Sequence, residues 1–431
     1  MIRSLIEKFK NGETAKNSLI ALALKILGVG FLFALTLFLT NNFSAELVGQ
    51  FSFSRSVLLI LGGISIIGAE QSIIYYAGFL NSKNSINNLK SVYLKTLKLI
   101  LVASISLLII ISLINKEFVN SAFEIENPYE LIQKVTYYVF FHSVMMLNIE
   151  VFRALNKIVL SEFYRNIMRF LVFFIAAYFL LVYHVEDWIV DAFLGSYIIL
   201  AIITSIQAYG MLKKLGSENK ELRITSREIF KTSYPMALNA MTFFLLQSVG
   251  VILLGKFEDF DTVAYYDTAV RLATLTSLGV MSVNIAIAPK ISEEYNKGNL
   301  IRLKKIYKSA VKLMFILSMP AILFLFLFAD FTLGLFGEGY QSAKTALYIL
   351  VLAQFLTTLM GISGTYMNMT GKQNILHKIL MFACVLNVLL NYLLIPKLGI
   401  NGAAVAAGLS MIVWHLIAAI VIYKKDKISL I

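Results

Sequence analysis

The chain has 431 residues, 58% hydrophobic and 15% charged, and a formal net charge of +13. A soluble core of this length cannot hide so much apolar surface, so soluble enzymes and binding modules are excluded and the chain reads as an all-α integral membrane protein. Nucleic acid is excluded as the partner of the positive charge, because the Lys and Arg residues sit between apolar runs and form no basic face on a soluble domain.

The chain begins MIRSLIEKFKNGETAK, followed by an apolar run over 18–40 that contains Lys25. That run is too long for a signal-peptide core and lacks a small-residue cleavage site, so it is expected to be an uncleaved first helix. The second run, 48–77, carries Arg55 in its first half, Gly62 and Gly63 in the middle and Glu70 towards its end. Spans three to six are placed at 92–114, 131–152, 162–183 and 189–212, with Glu150 and Arg153 closing the fourth. The polar stretch KKLGSENKELRITSR marks the midpoint, giving a first lobe over 1–213, a linker over 214–226 and a second lobe over 227–431. Six more spans follow at 229–254, 263–287, 307–329, 343–366, 375–395 and 401–423, the seventh holding Pro235, the eighth Asp267 and Arg271, the ninth Pro320. About 20 apolar residues cross a bilayer as a helix. Alternation of period two, the mark of a transmembrane barrel, is absent.

LKSVYLKTLKL at 89–99 recurs as LKKIYKSAVKL at 303–313, an offset of 214 residues. The same offset pairs Phe51 with Tyr265, Ser54 with Thr268, Phe152 with Tyr366, Tyr178 with Tyr392 and Ser196 with Ser410. Six crossings precede the second copy, so the halves are expected to be parallel repeats about an axis along the membrane normal. The lysines of the repeated word read as interfacial anchors. Lys and Arg concentrate at both ends and in every second loop, from Arg3, Lys8, Lys10 and Lys16 to Lys424, Lys425 and Lys427, whereas NKEFVNSAFEIENPYE and HVEDW are acidic. Both termini are therefore expected on the cytoplasmic side.

Charges inside spans are the informative exceptions, since each costs roughly 2.5–3.5 kcal/mol without water or a partner. Arg55 maps by the offset to Ala269, two residues from Arg271, which puts two guanidinium groups at similar depth on related helices. Either they line a cationic cavity suited to a diphosphate, with Lys25 as a third member, or they snorkel to the interface. Asp267, one turn before Arg271, also offers a local pair. Glu150 and Arg153 read as a local ion pair, with a gate role as the alternative. Glu70 reads as a helix-end carboxylate, with a proton or cation site as the alternative. His142, His184, His377 and His415 have no ligand spacing, so no metal is expected. The single Cys384 reads as a small buried hydrophobe and excludes a disulfide within the chain. MNMTGKQ at 367–373 lacks the leading Gly and the Ser or Thr of a phosphate loop, so ATP and other cofactors are not expected.

NVLLNYLLIPKLGINGAAVAAGLS at 387–410 resembles a helix junction of the Wzx-type O-antigen and polysaccharide flippases, a branch of the multidrug/oligosaccharidyl-lipid/polysaccharide superfamily. ELVGQFSFSRS at 46–56, FRALNK at 152–157 and YPMALNA at 234–240 are similar to other entry segments of that family. The resemblance covers essentially the whole chain. It implies a MATE-like fold of about twelve helices in two six-helix bundles, in the bacterial inner membrane. The activity implied is alternating-access translocation of undecaprenyl-diphosphate-linked oligosaccharide from the cytoplasmic to the outer leaflet, for O-antigen or another surface polysaccharide. Implied partners are that glycan lipid, membrane lipids, a coupling proton or sodium ion, and polysaccharide polymerase and chain-length machinery.

A MATE-like exporter of drugs or organic cations is the competing reading. It typically wants a buried carboxylate in the first lobe, and the first span has none but does have Lys25. A major-facilitator transporter is disfavoured because AGFLNSKNSINNLK lacks the Gly, Asp and Arg signature of its loop between spans two and three. A membrane glycosyltransferase or polymerase would need a larger outer loop than any present here.

Overall fold

In the computed structural model, residues 13–216 and 224–428 are described, and every regular element among them is helical. The basic segment holding Arg3, Lys8 and Lys10, and residues 217–223 of the linker, lie outside the described residues. The first half comprises α1 (Glu13–Asn42), α2 (Ala45–Ser65), α3 (Ala69–Ser82), α4 (Leu89–Ser112), α5 (Lys116–Ala122), α6 (Pro128–Ala154), α7 (Ile158–Phe163), α8 (Arg169–Val182) and α9 (Ile189–Lys213). The second comprises α10 (Ser226–Phe257), α11 (Phe260–Leu275), α12 (Leu278–Asn296), α13 (Leu300–Leu327), α14 (Ala329–Gly334), α15 (Lys344–Leu359), α16 (Ser363–Met369), α17 (Gln373–Leu398) and α18 (Ile400–Asp426). Ten of the described spans are long and apolar enough to cross a membrane, and two bent pairs raise the total to 12. The twelve expected spans are thus present, as helices because a bilayer offers no water to unpaired backbone groups.

Several spans are not single rods. The second breaks between α2 and α3, where Ile67 (φ 50°) and Gly68 (φ 69°) are left-handed. A Cβ on Gly68 would stand 2.3 Å from the Ser233 carbonyl oxygen and 2.6 Å from the Ala237 nitrogen, so only glycine admits α10 this closely. Gly62 and Gly63, for which packing is the default reading and bending the alternative, pack tightly: their Cβ positions fall 2.6 Å from His142 Nδ1 and from Phe244 Cδ2. The eighth span bends by 46° between α11 and α12, and α10 bends by 43° between Leu238 and Met241. Pro235 lies just before that second bend and deprives the helix of one backbone bond there. Pro320, by contrast, sits in the unbroken helix α13.

The chain separates into two compact units. The first holds residues 1–42, 57–122 and 126–244, and the second holds 43–56, 123–125 and 245–431. In the first, α6 is the central helix, packed by α3, α4 and α9. In the second, α18 packs along α17 and α15. The small residues of GINGAAVAAGLS allow this approach, since a Cβ on Gly402 would meet the Leu394 carbonyl oxygen at 2.4 Å. Asn387 and Asn391 satisfy polar groups inside the same contact, Asn387 donating to the Ala406 carbonyl at 3.3 Å.

Both copies of the repeated word open a helix and use their tyrosine alike. Tyr93 donates to Asn148 Oδ1 at 2.8 Å, and Tyr307 donates to the Met360 carbonyl at 3.0 Å. Each tyrosine therefore pins the third helix of its repeat to the fourth. Of the paired tyrosines near span ends, Tyr75 is exposed, as an interfacial residue would be, whereas Tyr76 and Tyr266 are buried. Tyr76 donates to Thr232 Oγ1 at 3.0 Å, so packing explains it better than an aromatic belt.

Candidate functional site

Within the second compact unit, α2 and α11 bring together the two arginines singled out by the sequence. Asp259 caps α11, its Oδ1 accepting from the Thr262 amide at 2.9 Å, which fixes where the helix starts. Gly49 on α2 lies against that start. A Cβ there would stand 1.9 Å from the Phe260 carbonyl oxygen, so α2 meets α11 backbone to backbone. One turn further along α2 is Ser52 and beyond it Arg55, both facing α11. Gly49→Ala is accordingly expected to wedge the helices apart and lower the melting temperature of the purified protein by several degrees; an unchanged melt would show that the contact can relax.

The carboxylate of Asp267 lies at the centre. Arg271 Nη2 and Nε stand 2.6 and 2.9 Å from its Oδ2, Ser52 Oγ donates to the same oxygen at 2.8 Å, and Arg55 Nη1 is 3.5 Å from Oδ1. The Asp267 side chain is 5% exposed, Arg271 11% and Arg55 28%. Arg271 also lies over the Phe51 ring, 5.4 Å from its centroid. Both the convergence of the arginines and the local i,i+4 pair are therefore realised, on one carboxylate. Two guanidinium groups thus share one carboxylate. The arginines are not equivalent: Arg271 is bound twice and enclosed, whereas Arg55 is looser and more accessible.

Lys25 is elsewhere, half-buried on α1 in the first unit, and has no ion-pair partner among the described residues. α1 packs on α7 and on the single π-helical turn Tyr164–Met168. A Cβ on Gly28 would meet Asn166 Cβ at 2.5 Å, which sets that contact.

The same turn belongs to a second ionic network. Glu150 pairs with Arg165, and Arg153 pairs with Glu162. Arg153 Nη1 also reaches Glu150 Oε2 at 3.6 Å, and Asn166 Nδ2 donates to Glu162 Oε2 at 2.8 Å. Glu150 and Glu162 are both buried. The local Glu150–Arg153 pair expected from the sequence exists, as the weakest link of a four-residue network. Glu70, in the first turn of α3, is half-buried in the field of Arg165, Arg153 and Arg169, so it is not the solvated helix-end carboxylate expected. Sequence reasoning missed Glu162, Arg165 and Arg169. Their i, i+3, i+7 spacing inside an apolar run, on the face of Asn166, was the available signal.

Lys372, from the Gly-Lys pair of MNMTGKQ, is a buried tie. Its Nζ lies 2.8 Å from Asp426 Oδ2 and 3.2 Å from the Tyr295 hydroxyl, and Tyr366 donates to Asp426 at 2.8 Å. It fastens the end of α18. Among the described residues, no group of three or more His, Cys, Asp or Glu is placed to hold a metal ion.

The MatE family model matches residues 235–393. The chain is 27% identical over 218 residues to the probable low-salt glycan biosynthesis flippase Agl15 of Haloferax volcanii, a match covering 50% of this chain and 46% of that protein. It is 29% identical over 201 residues to the capsular polysaccharide biosynthesis protein CapF of Staphylococcus aureus, covering 46% of this chain and 50% of that protein. The matched stretches thus span about half the length of these relatives. Among solved structures, a multidrug resistance MATE family transporter in an inward-facing conformation superposes with a TM-score of 0.72 at 17% identity, over 95% of this chain and 98% of that one. The lipid II flippase MurJ in an inward closed conformation gives 0.70 at 14% identity, over 96% of this chain and 90% of that one. These likenesses show the MATE-like fold.

Proposed function

We propose that this multi-pass chain, a member of the multidrug/oligosaccharidyl-lipid/polysaccharide superfamily with the MATE fold, is a flippase for undecaprenyl-diphosphate-linked oligosaccharide. It carries the glycan from the cytoplasmic to the outer leaflet by alternating access, in a cytoplasmic membrane with both termini on the cytoplasmic side. The observation that carries this reading is the convergence of Arg55 and Arg271 on Asp267 inside the bilayer-spanning region. Two guanidinium groups within the spans are a poor host for an organic cation and a good one for a diphosphate, which arginine grips in a bidentate manner while staying charged. Relatives named as glycan flippase and capsular polysaccharide biosynthesis protein support the same substrate class. Asp267 and Arg271 form the fixed base, and Arg55 is the arm that meets phosphate. Lys25, the network of Glu150 and Arg153, and Glu70 beside it would serve passage of the headgroup or a coupling ion in the first unit.

The test is reconstitution of the full chain with a fluorescent lipid-linked oligosaccharide in one set of vesicles and an organic-cation dye in another. The lipid-linked oligosaccharide is expected to move and the dye to stay. Arg55→Ala, inserted at normal levels, is expected to slow translocation about ten- to a hundredfold, the worth of a hydrogen bond to a charged group. Transport of the dye alone, or a full rate in Arg55→Ala, overturns the reading.

A further inference from the structure

The first copy of the repeated word lines a feature that the flippase reading does not use. In the first unit, α4, α6 and α9 leave a groove of about 900 Å³, open along one side. Leu94, Leu101, Phe141 and Ile206 form its apolar walls. Its polar floor is satisfied internally: Tyr93 donates to Asn148, whose amide donates to Thr204 Oγ1 at 3.0 Å and Ser205 Oγ at 2.9 Å. The floor therefore asks for no polar ligand.

The cations are different. Lys95 and Lys98 line the groove one turn apart on the same helix face. Lys95 Nζ donates to the Ile224 carbonyl at 2.6 Å, with the exposed Glu228 carboxylate nearby but in no ion pair with it, and the exposed Lys98 has no ion-pair partner among the described residues. Lys90 lies over the ring of Tyr209, 5.1 Å from its centroid. By the 214-residue offset Lys98 maps to Lys312 and Lys95 to Ser309, the second copy placing its other lysine at Lys308, the counterpart of Leu94. The two lysines thus occupy the middle turn of a lining that runs about three helical turns along α4, from Ser91 to Leu101, with apolar side chains on either side of them.

All three helices belong to spans long and apolar enough to cross the membrane, and the wall residues Leu94, Leu101 and Ile206 are exposed on them, an apolar surface of the kind a bilayer covers. Ammonium groups bind phosphate as point charges, and basic pockets between transmembrane helices on the cytoplasmic side take anionic lipid headgroups. We infer that this groove holds an anionic phospholipid of the surrounding bilayer, its phosphate at Lys95 and Lys98 and one acyl chain along Leu94, Leu101, Phe141 and Ile206. Translocated substrate is not the occupant.

Purified full-length protein is reconstituted in vesicles of phosphatidylcholine containing either brominated phosphatidylglycerol or brominated phosphatidylcholine, with a single tryptophan at Leu97 on the groove as reporter in a background lacking the native tryptophans. Quenching by the anionic lipid is expected to exceed that by the zwitterionic one and to weaken as salt rises. Lys95→Gln with Lys98→Gln is expected to cut the preference by about tenfold or more, at roughly fivefold per charge. Lys95→Arg with Lys98→Arg is expected to keep it. Should the glutamine variant fail to fold, Ile206→Phe, which narrows the chain channel and keeps both lysines, is expected to lower anionic quenching on its own. Equal quenching by both lipids, a preference unchanged in the glutamine or Ile206→Phe variant, or displacement of phosphatidylglycerol by equimolar polyprenyl phosphate overturns the inference.

Discussion

Asp267→Ala is expected to be the most destabilising single substitution in the second unit, costing about 3–5 kcal/mol. It leaves the guanidinium groups of Arg55 and Arg271 facing each other without the carboxylate that joins them, and it strips Ser52 of its acceptor. The enclosed Arg271 suffers most, because its charge cannot escape to water. Arg55→Ala behaves in the opposite way. It leaves the Asp267–Arg271 pair intact, so stability falls little while the accessible positive charge is lost. Thermal melting in detergent separates the two: a large downward shift for Asp267→Ala, a small one for Arg55→Ala. Replacing all three by leucine is expected to recover most of the stability, since an apolar trio removes every buried charge at once. The triple variant should still fail to translocate lipid-linked oligosaccharide. If Asp267→Ala melts like the parent, the triad is not a buried electrostatic unit and the division of labour between its arginines falls with it.

The spans were legible because length and apolar composition alone decide whether a helix can cross a bilayer, and the repeat was legible because Tyr93 and Tyr307 do the same packing job. Arg55, Asp267 and Arg271 stood out as charges in apolar runs. The break between α2 and α3 was not legible. Ile67 is a β-branched residue in a left-handed conformation that its own preferences oppose, held there because Gly68 must admit α10, a contact far away in sequence. Gly62 and Gly63 could be read as packing positions, but not their partners, because the side chains filling their space, His142 and Phe244, come from other helices. Likewise Glu162 and Arg165 fell at the edge of the predicted fifth span, where charges read as solvated. Only folding shows that Glu150 and Arg153 close the same cluster from α6.

That cluster carries the second large effect. Glu150 and Glu162 are both buried, and between them they hold Arg153 and Arg165. Removing Glu162 leaves Glu150 to serve both arginines, which it already touches, and removing Glu150 leaves Arg153 still paired with Glu162. Glu150→Gln or Glu162→Gln alone is therefore expected to cost about 1–3 kcal/mol. Removing both leaves two guanidinium groups in the cluster with no carboxylate, and the loss should exceed the sum of the singles by about 0.5–3 kcal/mol. The cluster also seats α1, because Asn166 binds Glu162 and lies under Gly28. The double variant should consequently expose α1, and a protease site or cysteine label placed there would report the change. Arg153→Gln with Arg165→Gln, added to the double variant, is expected to restore both the melt and the protection of α1. The effect should persist at high salt, since screening reaches buried pairs weakly. Strict additivity of the glutamine variants would mean two independent ion pairs, and α1 would then have to be held by the Gly28 contact alone.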